Sequence, residues 1–321
     1  MIRFLILRIG QAILVMWAAS IAVFLLFFVG PGPGAVARTF AGRFATPARL
    51  EQIKEALHLN LPLYQQYLHW AGNLLQGNLG YSYYKGQSVD SIVASALPAT
   101  ASLVIGAAIL WIGYGVISGV ISAVRPRTVL DRGFTTAALL FYSMPTFVLG
   151  YSLIWIFAYK LSPVTGQFFP FGQFIPLTQN PGQWFVHLIL PWLTLAMVTA
   201  AGYTRLTRTS MLEVLNEDYI RTARSKGMPE KRLILVHGLR SALTPVVTLA
   251  GLDIGTALGG VIITETVFGV TGLGWTIVKA ITNEDLPIIM GIAMLAAAFV
   301  VLANLIVDII YAVLDPRVRL Y

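Results

Sequence analysis

Apolar positions in this chain are gathered in long unbroken runs, with polar residues confined to the segments between them. The first run, Ile9 to Val29, follows Arg3 and Arg8. As helix its 21 residues rise about 31 Å, the thickness of a bilayer's hydrocarbon core. Ala35-Val36-Ala37 has the small-residue form of a signal-peptide cleavage site. The run before it is longer than a signal peptide's apolar stretch, so a retained first helix is expected. Further runs cover Ala101–Val124, about Phe134–Tyr159, about Val186–Tyr203, Pro245 to about Phe268, and Pro287 to about Val313. A backbone in lipid must satisfy its own hydrogen bonds, and runs of this length do so as helices. The pattern therefore predicts an all-α integral membrane protein with six transmembrane helices. One transmembrane domain is expected over 1–321, with a first helix at 1–29, a long external loop at 30–98 and a five-helix core at 99–321.

Composition agrees: 57% of the 321 residues are hydrophobic and only 11% are charged. A soluble domain carries roughly 25% charged residues. The net charge of +8 invites a nucleic-acid reading, but the basic residues sit between apolar runs, where they set topology. The N-terminus, the 125–132 turn, the 205–240 stretch and the tail hold 15 of the 22 Lys and Arg. All four lie on one side if six helices alternate, so both termini are expected in the cytoplasm. With no cysteine, disulfides, thiolate metal sites and Cys nucleophiles are excluded, and the redox compartment is left open.

Two connections are unusual. In the 30–98 loop, Pro31, Gly32, Pro33 and Gly34 end the first helix, and Thr46-Pro47 then reads as the start of a short helix reaching Leu59. Leu50, Ile53, Ala56 and Leu57 give it one apolar stripe. Tyr64, Tyr67, Leu68, Trp70 and Leu74 predict a second helix at the membrane interface, for packing or for a partner. In the basic 205–244 segment, Glu217 or Asp218 is placed to cap a helix running to Lys226. Gly227 suits the left-handed residue beyond it, and Pro229 the first position of the next helix, which Thr244-Pro245 is expected to end near Leu243.

Enzymatic constellations are missing. The sequence contains no G-x-x-x-x-G-K-[ST], H-E-x-x-H or G-x-S-x-G, and His58, His69, His187 and His237 are scattered. Asp253, Glu265 and Asp308 fall in or near spans, where each suits pairing with another helix as well as contact with cargo. Glu265 is expected at the external end of helix five, close to water. Gly251, Gly255, Gly259 and Gly260 place small residues about four apart, a spacing that permits close helix packing.

The segment from Asp218 to Gly227, Asp-Tyr-Ile-Arg-Thr-Ala-Arg-Ser-Lys-Gly, followed by His237-Gly-Leu-Arg-Ser-Ala-Leu-Thr-Pro245, resembles the EAA loop of ABC-importer permeases. Ala223 takes the place of the second Ala, Gly227 of the Gly and Leu239 of the Leu. Arg221, Thr222, His237 and Arg240 depart from the general pattern in the manner of the oligopeptide/dipeptide/nickel branch. Gly77-Asn-Leu-Gly-Tyr-Ser82, Leu97-Pro-Ala-Thr100, Phe268-Gly-Val-Thr-Gly-Leu-Gly274, Asp308–Tyr311 and Leu314-Asp-Pro-Arg317 resemble the same branch, in order over nearly the whole chain. Gly77-Asn78 stands where the branch often has Gly-Asp.

The resemblance implies a type I importer permease of a bacterial inner membrane, carrying short peptides, or alternatively nickel, glutathione or haem. It implies a second homologous permease, two ATPase subunits or one fused ATPase, and an extracytoplasmic binding protein. ATP and magnesium would be bound by those partners, with no cofactor in this chain. It also implies a coupling role for Asp218, Arg221, Thr222, Ala223, Arg224, Lys226 and Gly227, with Ala223 letting the helix seat in an ATPase groove and the basic residues meeting acidic groups around it. An ion-gradient-driven secondary transporter is the alternative of another class. It predicts intramembrane charge networks and internal repeats, which are not convincing here.

Overall fold

The computed structural model describes residues 2–30, 32–41, 46–165 and 169–314, so the motif from Asp315 onward and Pro31 lie outside the described residues. Among the described residues, five helices are long and apolar enough to cross a membrane, and a bent pair raises the number to six if it is one span. The chain divides into two compact units.

One unit comprises Met1–Thr100, Gly255–Glu265 and Thr271–Leu305. Its first helix, α1 (Ile2–Phe24), continues as a π-helical turn over Leu25–Val29. Three short helices follow: α2 (Pro33–Ala41), α3 (Pro47–Ala56) and α4 (Leu63–Leu75). Pro33 and Gly34, expected to end the first helix, therefore open a new one. Phe24, Phe28, Val36, Ala37, Phe40, Ile53 and Leu59 form a buried core against which Leu50, Leu57, Tyr67 and Trp70 pack. Leu50, Ile53 and Leu57 of the stripe expected of α3 are thus packed, together with Tyr67 and Trp70 of α4, whereas Tyr64 and Leu68 are exposed. A two-residue hairpin, β1 (Tyr81–Ser82) with β2 (Gln87–Ser88), leads into α5 (Val89–Val124).

Helix α5 starts before the expected second span and carries Pro98 inside it. Membrane helices tolerate such a proline where neighbouring groups satisfy the freed carbonyl. Val89, Ile92, Val93 and Ala96 of its first turns pack with Leu273, Ala280, Ile288 and Ile292. The last four belong to α14 (Leu273–Thr282) and α15 (Leu286–Leu314).

The other unit comprises Ala101–Ile254, Thr266–Val270 and Ile306–Tyr321. Here α5 lies so close to α9 (Pro181–Leu215) that a Cβ on Gly106 would fall 2.1 Å from the Trp192 ring and one on Gly115 2.3 Å from the Tyr203 Cβ. The third apolar run is not one straight span. It forms α6 (Val129–Ser143) and α7 (Thr146–Leu153, continuing as a π-helical turn over Ile154–Lys160), bent by 103° between them. Pro145 is the cause, since it lacks an amide donor and pushes Met144 into extended backbone (ψ 129°). A single helical turn, α8 (Ser162–Thr165), follows.

The fourth run is also longer than its apolar part. Asn180 caps α9 by accepting the Gln183 amide (3.1 Å), and the helix carries Arg205 and Arg208 within it as far as Leu215. Helix α10 (Asp218–Ser225) follows, then α11 (Glu230–Arg232), a π-helical turn over Leu233–Gly238, and α12 (Leu239–Leu258). The last three are continuous over Glu230–Leu258. Thr244-Pro245 therefore does not end a helix, contrary to the sequence expectation: proline's φ is helical, and in this chain it sits inside α12 as Pro98 does inside α5. The break falls later, after Leu258, before α13 (Ile262–Phe268).

Candidate functional site

Helix α10 is short and would not be stable alone, so its order comes from both ends and from one buried face. Glu217 is its N-cap residue, but the Glu217 side chain makes no capping hydrogen bond. Asp218 also leaves the cap to the backbone; its side chain is 98% exposed and meets Arg221 at 3.6 Å across one turn. Thr222 Oγ1 donates to the Asp218 carbonyl (2.9 Å) and Ser225 Oγ to that of Arg221 (3.1 Å). The far end closes with paired bonds: the Met228 amide donates to the Ala223 carbonyl (3.3 Å) and the Gly227 amide to the Arg224 carbonyl (3.0 Å). Gly227 has φ +80°. This is a Schellman closure, which needs a left-handed residue at the Gly227 position.

Ile220 is fully buried and anchors the helix. Beneath it, the end of α9 meets the π-helical turn: a Cβ on Gly238 would lie 3.5 Å from Leu215 Cδ2 and from Met211 Cε. Met211, Ala123 and Ala242 form a small core with Leu215, Ile234 and Leu239 around it. The Tyr219 hydroxyl donates to Ser241 Oγ at 3.1 Å, tying α10 to α12. The outward face of α10 presents Arg221, Thr222, Arg224, Lys226 and Gly227, with Ala223 half-buried beside them.

All seven residues singled out from the sequence thus lie on one short, braced helix and its closing turn. Arg224 has an acidic partner within the chain: it donates to Glu230 at 2.6 Å and 3.4 Å, and that carboxylate holds the guanidinium above its ordinary pKa. A carboxylate six residues on, beyond a Gly turn, was a signal for this pair. Ile220 and Tyr219 were missed because a buried position on an eight-residue helix has too little periodicity to register.

A second cluster lies on α6 and α9. Arg208 grips Asp131 through two parallel bonds, Nε to Oδ1 (2.8 Å) and Nη2 to Oδ2 (3.0 Å). The Arg127 amide, at φ +64°, donates to the same carboxylate at 2.8 Å. A fixed, bidentate geometry of this kind locks the first turn of α6 to the last turns of α9. Nearby, the Tyr203 hydroxyl donates to Asp253 Oδ2 at 2.7 Å, which gives Asp253 a partner on another helix.

Glu265 departs furthest from expectation. It is fully buried and not close to water. It accepts from Thr100 Oγ1 (2.7 Å) and from the Trp275 amide (2.8 Å), and Thr100 in turn accepts from the Leu273 amide (2.8 Å). Thr100, which ends the Leu97–Thr100 motif, and the Leu273–Trp275 segment therefore meet around one carboxylate. Among the described residues, no group of three or more His, Asp or Glu is placed to hold a metal ion.

The sequence profile of the family described as "Binding-protein-dependent transport system inner membrane component" matches residues 115–320, and the profile of its N-terminal region matches residues 1–104. The chain is 40% identical over 317 residues to a probable peptide ABC transporter permease protein, y4tP, of Sinorhizobium fredii, covering 98% of this chain and 99% of that protein. It is 37% identical to the di/tripeptide transport system permease protein DppB of Pseudomonas aeruginosa, covering 99% of each. It is 41% identical over 272 residues to the oligopeptide transport system permease protein AppB of Bacillus subtilis, covering 84% of each.

Proposed function

The chain belongs to the family of binding-protein-dependent transport system inner-membrane components, and from that premise we propose that it is one permease subunit of an ATP-driven importer of short peptides. Full-length likeness to proteins named as peptide permeases supports the cargo. The braced α10 helix supports the coupling role: it is exposed, it is rigid at both ends, and it stands directly between two long apolar helices.

In this reading the chain is a multi-pass protein of a bacterial inner membrane, with six spans, the α6–α7 pair counting as one, and with both termini and α10 in the cytoplasm. It forms a single permease domain with one half of the translocation pathway. A second, homologous permease supplies the other half. Two ATPase subunits, or one fused pair, bind ATP and magnesium, and an extracytoplasmic protein delivers the peptide. The chain itself catalyses nothing.

Mechanically, α10 is the lever. Arg221, Arg224, Lys226 and the small Ala223 form its outer surface, with Asp218 and Thr222 stiffening the first turn and Gly227 the last. A groove on the ATPase receives that surface. When the ATPases close on ATP, displacement of α10 is carried through Ile220 and the Tyr219–Ser241 bond into α9 and α12. Access to a midplane path then alternates.

Affinity purification from native membranes in mild detergent tests the assembly. The expected result is recovery of a second permease and the ATPase, weakened by Ala223→Glu or Gly227→Pro, and ATP-dependent uptake of labelled di- and tripeptides by vesicles. A chain that purifies alone, and that transports in ATP-free vesicles on an ion gradient, would sink the reading in favour of secondary transport.

A further inference from the structure

Beside the Asp131–Arg208 grip, α6 and α9 enclose a cleft of about 330 Å³. That is the low end of the range for small-ligand sites. The helices come together unequally. Gly150 of α7 approaches α9 at Thr194, where an added Cβ would lie 3.5 Å from the Thr194 Cγ2. The lining residues of α6 instead face α9 from Ala201 to Thr209. The cleft lies on the α6 side of the 103° bend, with Tyr142 two residues before its pivot.

Its chemistry is mixed. Ala138, Ala201 and Gly202 line it with little bulk, and Tyr142, 65% exposed, supplies an aromatic face with a hydroxyl. Two guanidinium groups reach it, from Arg205 and Arg208. Arg208 is committed to Asp131 by two bonds. Arg205 is exposed and makes no hydrogen bond or ion pair among the described residues. One cation is therefore left over, which matches a ligand carrying one negative charge, whereas a phosphate headgroup would call for several converging donors.

We propose that this cleft is a cargo contact in which Arg205 receives the free terminal carboxylate of a short peptide, with Tyr142 and the small residues alongside its first side chains. The proposal rests on the peptide-permease reading and adds to it a binding residue. Arg205 pairs with the carboxylate, while Arg208 stays on Asp131 and keeps α6 and α9 at the spacing the cleft requires.

Because the chain has no cysteine, Ala138→Cys introduces its only thiol, inside the cleft. The assembled complex, in zwitterionic nanodiscs without binding protein, is labelled with a maleimide, and modification of this chain is followed by mass spectrometry. Dialanine is expected to slow labelling and dialaninamide to leave it unchanged. In the Arg205→Gln background the dialanine concentration that halves the rate should rise about tenfold or more, the loss expected for one charge-assisted hydrogen bond. Arg205→Lys, which keeps the charge, should retain part of the protection and separates charge loss from misfolding. Equal slowing by both peptides, or by neither, in a complex that takes up labelled dialanine with ATP would overturn the proposal alone. Slowing by phosphatidylglycerol in place of peptide would also overturn it, giving the cleft to a lipid headgroup. If the intact transporter with its binding protein accumulates no di- or tripeptide, the peptide reading itself fails, and this inference with it.

Discussion

Thr100 and Glu265, 165 positions apart, share a 2.7 Å hydrogen bond in a fully buried site. The same threonine oxygen receives the Leu273 amide, and the same carboxylate receives the Trp275 amide. Thr100 is thus donor to one partner and acceptor to the other, and no apolar side chain can replace it. Thr100→Val should destabilise by about 1.5–3 kcal/mol, because a buried carboxylate loses a donor and an amide loses its acceptor. Thr100→Ser should stay near wild type. Thermal unfolding midpoints in detergent check this, and equal midpoints for the two variants would remove the hydrogen bond from the account.

Asp285 lies at the start of α15 and accepts from the Ser82 hydroxyl at 2.5 Å. Burial raises its pKa above the ordinary aspartate value, and the Ser82 bond opposes only part of that rise. The folded state therefore holds the proton more tightly than the unfolded chain. The stability this contributes is fully present below the ordinary aspartate pKa of about 3.9 and is lost as pH rises through the folded value. Asp285→Asn, which cannot ionise, should show a flatter unfolding midpoint across that window and gain on wild type at its upper end. A wild-type profile that improves with rising pH there would contradict the sign.

How much of this was legible in the residues differs by level. Apolar run length found the five long apolar helices among the described residues, because spanning a hydrocarbon core demands it, but not their ends: α5 and the helix over Glu230–Leu258 begin well before their runs, and the third run is bent. Proline was the unreliable sign. Pro145 bends α6 from α7, while Pro98 and Pro245 sit inside helices, and composition alone cannot say whether a neighbour satisfies the freed carbonyl. The α10 helix was readable from Gly227 and Pro229, since a left-handed position and a restricted φ are local properties. Glu265 was not: its partner Thr100 is remote, and a lone carboxylate near a helix end carries no mark of being buried. The Arg208–Asp131 pair was hidden for the same reason, with Arg208 counted only as a loop charge and Asp131 not singled out.

That pair gives a direct test of the α6–α9 arrangement. Asp131 is 7% exposed and Arg208 30%, so each desolvated charge relies on the other. Asp131→Asn and Arg208→Gln should each destabilise, and the double variant should lose less than the sum. A coupling energy of about 1–3 kcal/mol is expected from a double-mutant cycle read by unfolding midpoints. Strict additivity would mean that the two side chains do not hold the helices together.

Close packing within the first unit is testable at Gly255. Alanine there would favour the helix by roughly 0.5–1 kcal/mol if space allowed. The new Cβ would instead lie 2.6 Å from the Ala303 Cβ and 3.3 Å from the Phe299 carbonyl. Overpacking costs about 1–3 kcal/mol and should outweigh the propensity gain. Gly255→Ala is therefore expected to lower the unfolding midpoint, and adding Ala303→Gly should recover part of the loss. A single variant more stable than wild type would show the contact to be looser than described.

The Gly227 turn links stability to transport. At φ +80° an L side chain costs about 1–2 kcal/mol, with Asn the best tolerated substitute. Gly227→Ala should therefore loosen the closure that ends α10, while Ile220 and the Tyr219–Ser241 bond still hold its other end. A cost of that size changes the population of the braced helix by a factor of roughly 5–30. If α10 transmits force from an ATPase, ATP-driven peptide uptake should fall in the order wild type, Gly227→Asn, Gly227→Ala, with the complex still assembling. Vesicle uptake measured beside co-purified ATPase separates the two effects. Uptake unchanged in Gly227→Ala would mean that the rigidity of this turn does not carry coupling.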